Sequence, residues 1–313
     1  MQILHNPSYD FLGKTKVLLV VSTTLILAGI AYIASHGMRY GVEFSGGTQL
    51  IARFQSRPEV DKVRAAVDKV VTGATIQTYD DPSKNQVLIR LPHTEGAGTE
   101  LSSAAQAVLQ SLKTDYAANA VTESSTEIVG PVVGAELRRK AIQITIFGLI
   151  CQLIYIAFRF GGAMWGTAAT IAVFHDVLIT LGLIVLFHYE ITLNVIAALL
   201  TLVGYSQNDT IVIFDRVREN LKVRRKEPLA KIINDSINQT LSRTIISSGT
   251  TFLTVLALYL FGGEVLRGFA FTMVIGIIVG TYSTIFIASP IVVWWDSFRR
   301  GRAQKPPAAR AAL

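Results

Sequence analysis

Six long apolar runs constrain this chain more than any other feature. They begin near Val17, Ala141, Ala163, Ile191, Ile245 and Phe269, and each approaches the ~20 residues that a helix needs to cross ~30 Å of hydrocarbon. A backbone in lipid must satisfy its own polar groups, so runs of this length predict six transmembrane helices. Composition agrees, since 16% of the 313 residues are charged against about 25% in soluble domains. The run from Val17 to Ala34 follows Lys14 and Lys16. It is too long for a signal-peptide core and no A-x-A site closes it, which predicts an uncleaved anchor. Cys151, the one cysteine, falls inside the second run. It can form no intrachain disulfide and is expected as a buried packing thiol.

When six spans alternate, Lys14, Lys16, Arg159, the cluster from Arg216 to Lys231 and the cluster from Arg299 to Arg310 share one side. That side, with both termini, is expected to be cytoplasmic. Arg138, Arg139 and Lys140 lie on the other side, where a long preceding domain weakens the rule. The net charge of +7 is no nucleic-acid signal: residues 39–140 hold twelve basic and twelve acidic side chains, so the excess lies elsewhere. Anionic lipids or a cytoplasmic partner suit it better.

Between the first two runs the pattern turns alternating and amphipathic. Thr48 to Phe54 reads as a strand, and Pro58 as N1 of a helix that carries Val60, Val63, Val67 and Val70 on one face. Thr75 to Tyr79 and Gln86 to Leu91 read as strands joined by a turn. A second helix follows on Leu101, Ala105, Val108 and Leu112, then a strand from Val121 to Val129. This β-α-β-β-α-β order is that of a ferredoxin-like α+β domain. It contains no carboxylate pair, Cys/His cluster, nucleophile and base, or phosphate loop, so a binding or mechanical role is expected, with no catalytic residue, metal or cofactor. Gly41 to Thr48, with paired glycines, reads as a hairpin turn. Residues 216–242, where Leu221, Leu229, Ile232, Ile233 and Ile237 interrupt many basic residues, read as an amphipathic segment on the bilayer surface.

Ionisable groups inside spans cost several kcal/mol and are functional candidates by default. His175 and Asp176 fall near the middle of the third span. Asp209 lies about seven residues, ~10 Å, from Arg216 in the fourth, and Arg243 enters the fifth from the same side. Asp209 and Arg243 are therefore expected at similar depth, where a carboxylate facing a guanidinium offsets much of the cost of both. Two readings stand: Asp209 exchanges a proton while Arg243 pairs with it and leaves it, or the two form a static pair that fixes helix register. His175 and Asp176 either join a proton path or hydrogen-bond between helices. Asn208 accompanies Asp209, and Ser247, Ser248, Thr250, Thr251 and Thr254 add a polar stripe that lines a wet path or contacts neighbouring helices. Gly276 and Gly280 form a small-xxx-small pair for helix packing.

Four segments carry a family resemblance: Gly41 to Thr48; Gly130 to Leu137, reading GPVVGAEL; Gly204 to Asn220, reading GYSQNDTIVIFDRVREN; and Ser242 to Thr251, reading SRTIISSGTT. With the six spans, they resemble the SecF half of the SecD/SecF family of protein-export membrane proteins, in the RND superfamily. That family has an apolar residue where Gln207 stands. The resemblance implies residues 1–16 as a cytoplasmic N-terminus, 17–34 as the first span and 35–138 as a periplasmic domain. Residues 139–295 would hold spans two to six with a cytoplasmic loop at 215–242, and 296–313 a cytoplasmic tail. It further implies a multi-pass protein of the bacterial inner membrane that is not an enzyme, partnered by SecD, the SecYEG channel and the translocating preprotein. Its work would be to drive late preprotein translocation with the proton motive force, Asp209 and Arg243 conducting protons. Competing classes are a proton-coupled RND exporter of small molecules or lipids, and a membrane scaffold whose buried charges are structural.

Overall fold

The computed structural model describes residues 7–79, 82–91, 98–160 and 162–303. Thr15–His36 forms α1, and a single helical turn, Val42–Ser45 (α2), leads into the α+β domain. There follow Gly47–Phe54 (β1), Val60–Asp68 (α3), Thr75–Tyr79 (β2), Gln86–Leu91 (β3), Gly98–Asp115 (α4) and Val121–Val129 (β4). The chain returns to long helices at Pro131–Phe160 (α5), Ala163–Leu186 (α6), Leu193–Val223 (α7), Leu229–Phe261 (α8), Glu264–Ser283 (α9) and Ser289–Ala303 (α10). A π-helical turn, Thr284–Ala288, joins the last two. Among the described residues six helical stretches are long and apolar enough to cross a membrane: one containing α1, four in α5 to α8, and one from Val265 to Arg299 through α9 and α10.

The sheet order β2-β3-β1-β4, with every neighbour antiparallel, is the ferredoxin-like arrangement. Its core gathers Leu50, Ala52 and Phe54 of β1, Val87 and Ile89 of β3, Val63 and Val67 of α3, and Val108 and Leu112 of α4. Details depart from the pattern-based reading. Glu59 is the residue preceding α3, so Pro58 lies ahead of the helix rather than at N1, and Val70, beyond the end of α3, is exposed. The side chain of Leu101 lies outside the described residues. Gly41 to Thr48 is no hairpin: α2 buries Val42 and Phe44, and Gly46 and Gly47 then turn the chain with φ of 72° and 126°. Gly134 of α5 allows this turn to approach closely, since a Cβ there would stand 3.0 Å from the nitrogen of Gly46.

The segment expected on the bilayer surface is not a separate element. α7 continues through Val223 and α8 starts at Leu229, because charged residues end an apolar run without ending a helix. Ile232, Ile233 and Ile237 are buried against Phe160, Trp165 and Phe214. At the connecting turn Arg224 donates to Glu227 at 2.7 and 2.6 Å and to Asp235 at 2.6 Å. Cys151 is exposed on α5, not a buried thiol, in keeping with the apolar outer face of that helix, where Phe147, Ile150 and Ile154 are also exposed.

Candidate functional site

Small residues bring the inner spans together. A Cβ on Gly280 would lie 3.0 Å from Ser206 Cβ, and one on Gly276 would lie 2.5 Å from Leu202 Cδ1, so α9 approaches α7 more closely than larger residues permit. Gly182 of α6 and Gly29 of α1 meet in the same way, at 3.1 Å. Around these contacts α6, α7, α8 and α9 enclose two carboxylates, Asp176 and Asp209, exposed by 1% and 4%.

Asp176 is held by three neighbours. With the carboxylate ionised, His175 Nδ1 donates to Oδ1 at 2.9 Å, while Ser206 of α7 and Ser283 of α9 donate to Oδ2 at 2.6 and 2.8 Å. One side chain therefore ties together α6, α7 and α9. His175 is 5% exposed, its ring stacks on Tyr282, and its Nε2 has no partner among the described residues. Tyr282 in turn donates to Leu18 O at 2.8 Å and meets Ser22 Oγ at 2.9 Å, drawing in α1.

Asp209 lies three residues beyond Ser206, about 4.5 Å further along α7. Ser248 of α8 donates to its Oδ2 at 2.9 Å, and Thr281 of α9 approaches the same oxygen at 3.5 Å. Thr210 and Thr284 complete the layer at 2.9 Å. Thr284 opens the π-helical turn, and its carbonyl accepts from Ser289 Oγ, five residues on, at 2.9 Å.

The expected contact between Asp209 and Arg243 is not formed. Among the described residues no ion pair joins them; Arg243 lies on the exposed side of α8, near enough for its charge to act on the carboxylate. α8 instead meets Asp209 through Ser248, five residues or about 7.5 Å beyond Arg243 along the helix, so the expectation misjudged register as well as rotation. Of the polar stripe, Ser247, Thr250 and Thr251 turn their hydroxyls back onto carbonyls of their own helix. Ser247 O accepts from Tyr205, whereas Asn208 is exposed. The residues that do complete the site, Ser206, Thr281 and Ser283, were not singled out by sequence reasoning. The run Thr281-Tyr282-Ser283-Thr284, polar within an apolar span, is the signal that marks them.

What the cluster can do chemically is limited and definite. It contains carboxylates that can bind protons and hydroxyls that can either donate to a carboxylate or accept from a carboxylic acid, all at the junctions of separate helices.

Comparison with known proteins follows the same outline. A family model described as protein export membrane protein SecD/SecF, C-terminal, matches residues 108–297, and one for the SecD/SecF GG motif matches residues 31–56. Protein translocase subunit SecF of Koribacter versatilis is 38% identical, over 99% of this chain and 98% of that protein. Protein translocase subunit SecDF of Thermus thermophilus is 40% identical, over 96% of this chain and 40% of that longer protein. The crystal structure of SecDF from the same organism, described as a translocon-associated membrane protein, superposes with a TM-score of 0.81 at 38% identity. The match covers 93% of this chain and 39% of the SecDF chain.

Proposed function

The chain belongs to the SecF type of the SecD/SecF family, an accessory subunit of Sec protein export, and on that premise we propose that it uses the proton motive force to drive late preprotein translocation. SecD is its proposed partner, because the Thermus thermophilus relative carries both names in one chain. The SecYEG channel, the moving preprotein and anionic lipids are the further contacts this reading requires. In this reading the protein lies in the bacterial inner membrane with both termini cytoplasmic, following its Lys and Arg distribution, and does its work without catalysing a covalent reaction. An exporter of small molecules or lipids is not favoured, since the matched relatives are named as translocase subunits.

One observation carries the energetic part: Asp209 is buried among apolar spans with hydroxyl partners on two other helices and, among the described residues, no counter-cation in ion-pair contact. When Asp209 is ionised, Ser248 and Thr281 donate to it. When it is protonated on Oδ2, the oxygen both hydroxyls address, its own O–H donates and one hydroxyl must turn to accept. Proton exchange thus changes the hydrogen bonding that joins α7 to α8 and α9. Arg243, on the same helix as Ser248, supplies a cation that ionised Asp209 draws toward itself and neutral Asp209 releases. Two helix packings biased by one proton convert a gradient into movement when one opens the carboxylate to the side that supplies the proton and the other to the side that receives it.

Asp209→Asn tests this in the assembled complex. The variant is expected to assemble with SecD and to lose the gradient-dependent part of late export, with gradient-independent export unchanged. Undiminished gradient-dependent export from an intact complex would contradict the reading.

A further inference from the structure

Outside the membrane, Arg90 of β3 forms a two-pronged ion pair with Glu190, Nη1 donating to Oε1 and Nη2 to Oε2. Glu190 stands in the short connection, residues 187–192, between α6 and α7. Both side chains are about three-quarters buried. The same connection pairs with the root of the external domain through its backbone: Ile191 N donates to Arg39 O at 2.7 Å, and Gly41 N to Ile191 O at 2.9 Å. Ile191 also packs with Phe44 of α2 and Val195 of α7.

On its membrane side the connection is equally well held. Tyr189 Oη lies 3.1 Å from Tyr259 Oη of α8, Tyr189 stacks on Phe271 of α9, and His188 takes a left-handed backbone, φ 61°. This is a built joint rather than a slack linker. Its position matters, because α6 ends in it and carries Asp176, while α7 begins in it and carries Asp209. Helices are stiff along their axes, so a shift of either one relative to the other arrives at Glu190. A bidentate carboxylate–guanidinium contact fixes angle as well as distance, and it can pass on rotation as well as translation.

We propose that Glu190 and Arg90 form the coupling joint through which movement of the two carboxylate-bearing helices reaches the external sheet. The coupling role rests on the proton-driven reading above; the docking that it requires does not. Arg90 has Glu190 as its ion-pair partner, so reversing either member of the pair replaces attraction by repulsion.

The test uses the full chain in complex with SecD, on a Cys151→Ser background, with spin labels at Gln77→Cys on β2 and Leu193→Cys at the start of α7. The unsubstituted pair is expected to give one narrow distance. Arg90→Glu and Glu190→Arg should each broaden it, and the double charge swap should restore it. Gradient-dependent export should fall by about fivefold or more in each single variant, the lower end of a coupling free energy, and recover in the swap. Narrow distances in both single variants would overturn the joint. Broadened distances with undiminished gradient-dependent export would overturn its coupling role. If export by the unsubstituted complex ignores the gradient, the proton-driven reading fails instead, and the distances still decide whether the pair docks the domain.

Discussion

An acidic side chain in a membrane interior can be stabilised by a fixed cation or by groups that tolerate both of its protonation states. Asp209 has the second kind of environment: hydroxyls from Ser248 and Thr281 surround it, and Arg243 stands outside contact distance. Asp176 has the same kind, with Ser206 and Ser283. Glu43, outside the spans, is a separate case. Its half-buried carboxyl is pushed above the ordinary value of 4.5 by burial, against the pull of its backbone hydrogen bond, and further by the neighbouring charges of Glu127 and Glu190, with Arg90 pulling the other way. A pKa raised on folding means that protonation favours the folded form. The associated stability is fully present below 4.5 and is lost as pH rises through the raised value. Glu43→Gln should therefore remove part of the pH dependence of thermal unfolding in that window and leave the variant the more stable form above it. Parallel unfolding curves for the two proteins across the window would contradict this.

At the scale of elements, the close approach of α7 and α9 sets the geometry of both carboxylates. Gly280→Val would force its branches into Ser206, whose Cβ is already 3.0 Å from the first added carbon. Overpacking of this kind costs about 1–3 kcal/mol. The variant should unfold at lower temperature and lose gradient-dependent export together, while Val substituted at exposed Gly204 of α7, with open space around it, should do far less. Equal stability of the two variants would show that the α7–α9 contact is not tight. Much at this scale was legible from residues alone. Apolar run length locates spans because lipid leaves a backbone few choices, and alternation in Thr48 to Phe54 or Gln86 to Leu91 locates strands because one face is buried. Helix rotation was not legible. Counting residues from the span ends sets Asp209 level with Arg243, yet α8 meets Asp209 at Ser248, five residues further on, and a lone serine such as Ser206 reads as ordinary packing. The charges between Arg216 and Ser242 disguised two continuous helices, because lipid exclusion and helix propensity are separate properties.

For the whole molecule, the arrangement is a bundle with two carboxylates buried in its interior and a four-stranded sheet fastened to the connection between its two acidic helices. Its outer faces carry exposed apolar side chains on α1 and α5, as lipid or a second membrane subunit requires. The match to 39% of the SecDF chain fits a molecule that works as one portion of a larger assembly. The proposed energy conversion stands on Asp209 taking up and releasing a proton inside the bundle. Infrared difference spectroscopy of the complex across a pH step reads this directly through the carboxyl C=O stretch. A carboxyl band that appears on acidification and is absent in Asp209→Asn is the predicted result. An identical difference spectrum from the unsubstituted and Asn-substituted complexes would contradict the account.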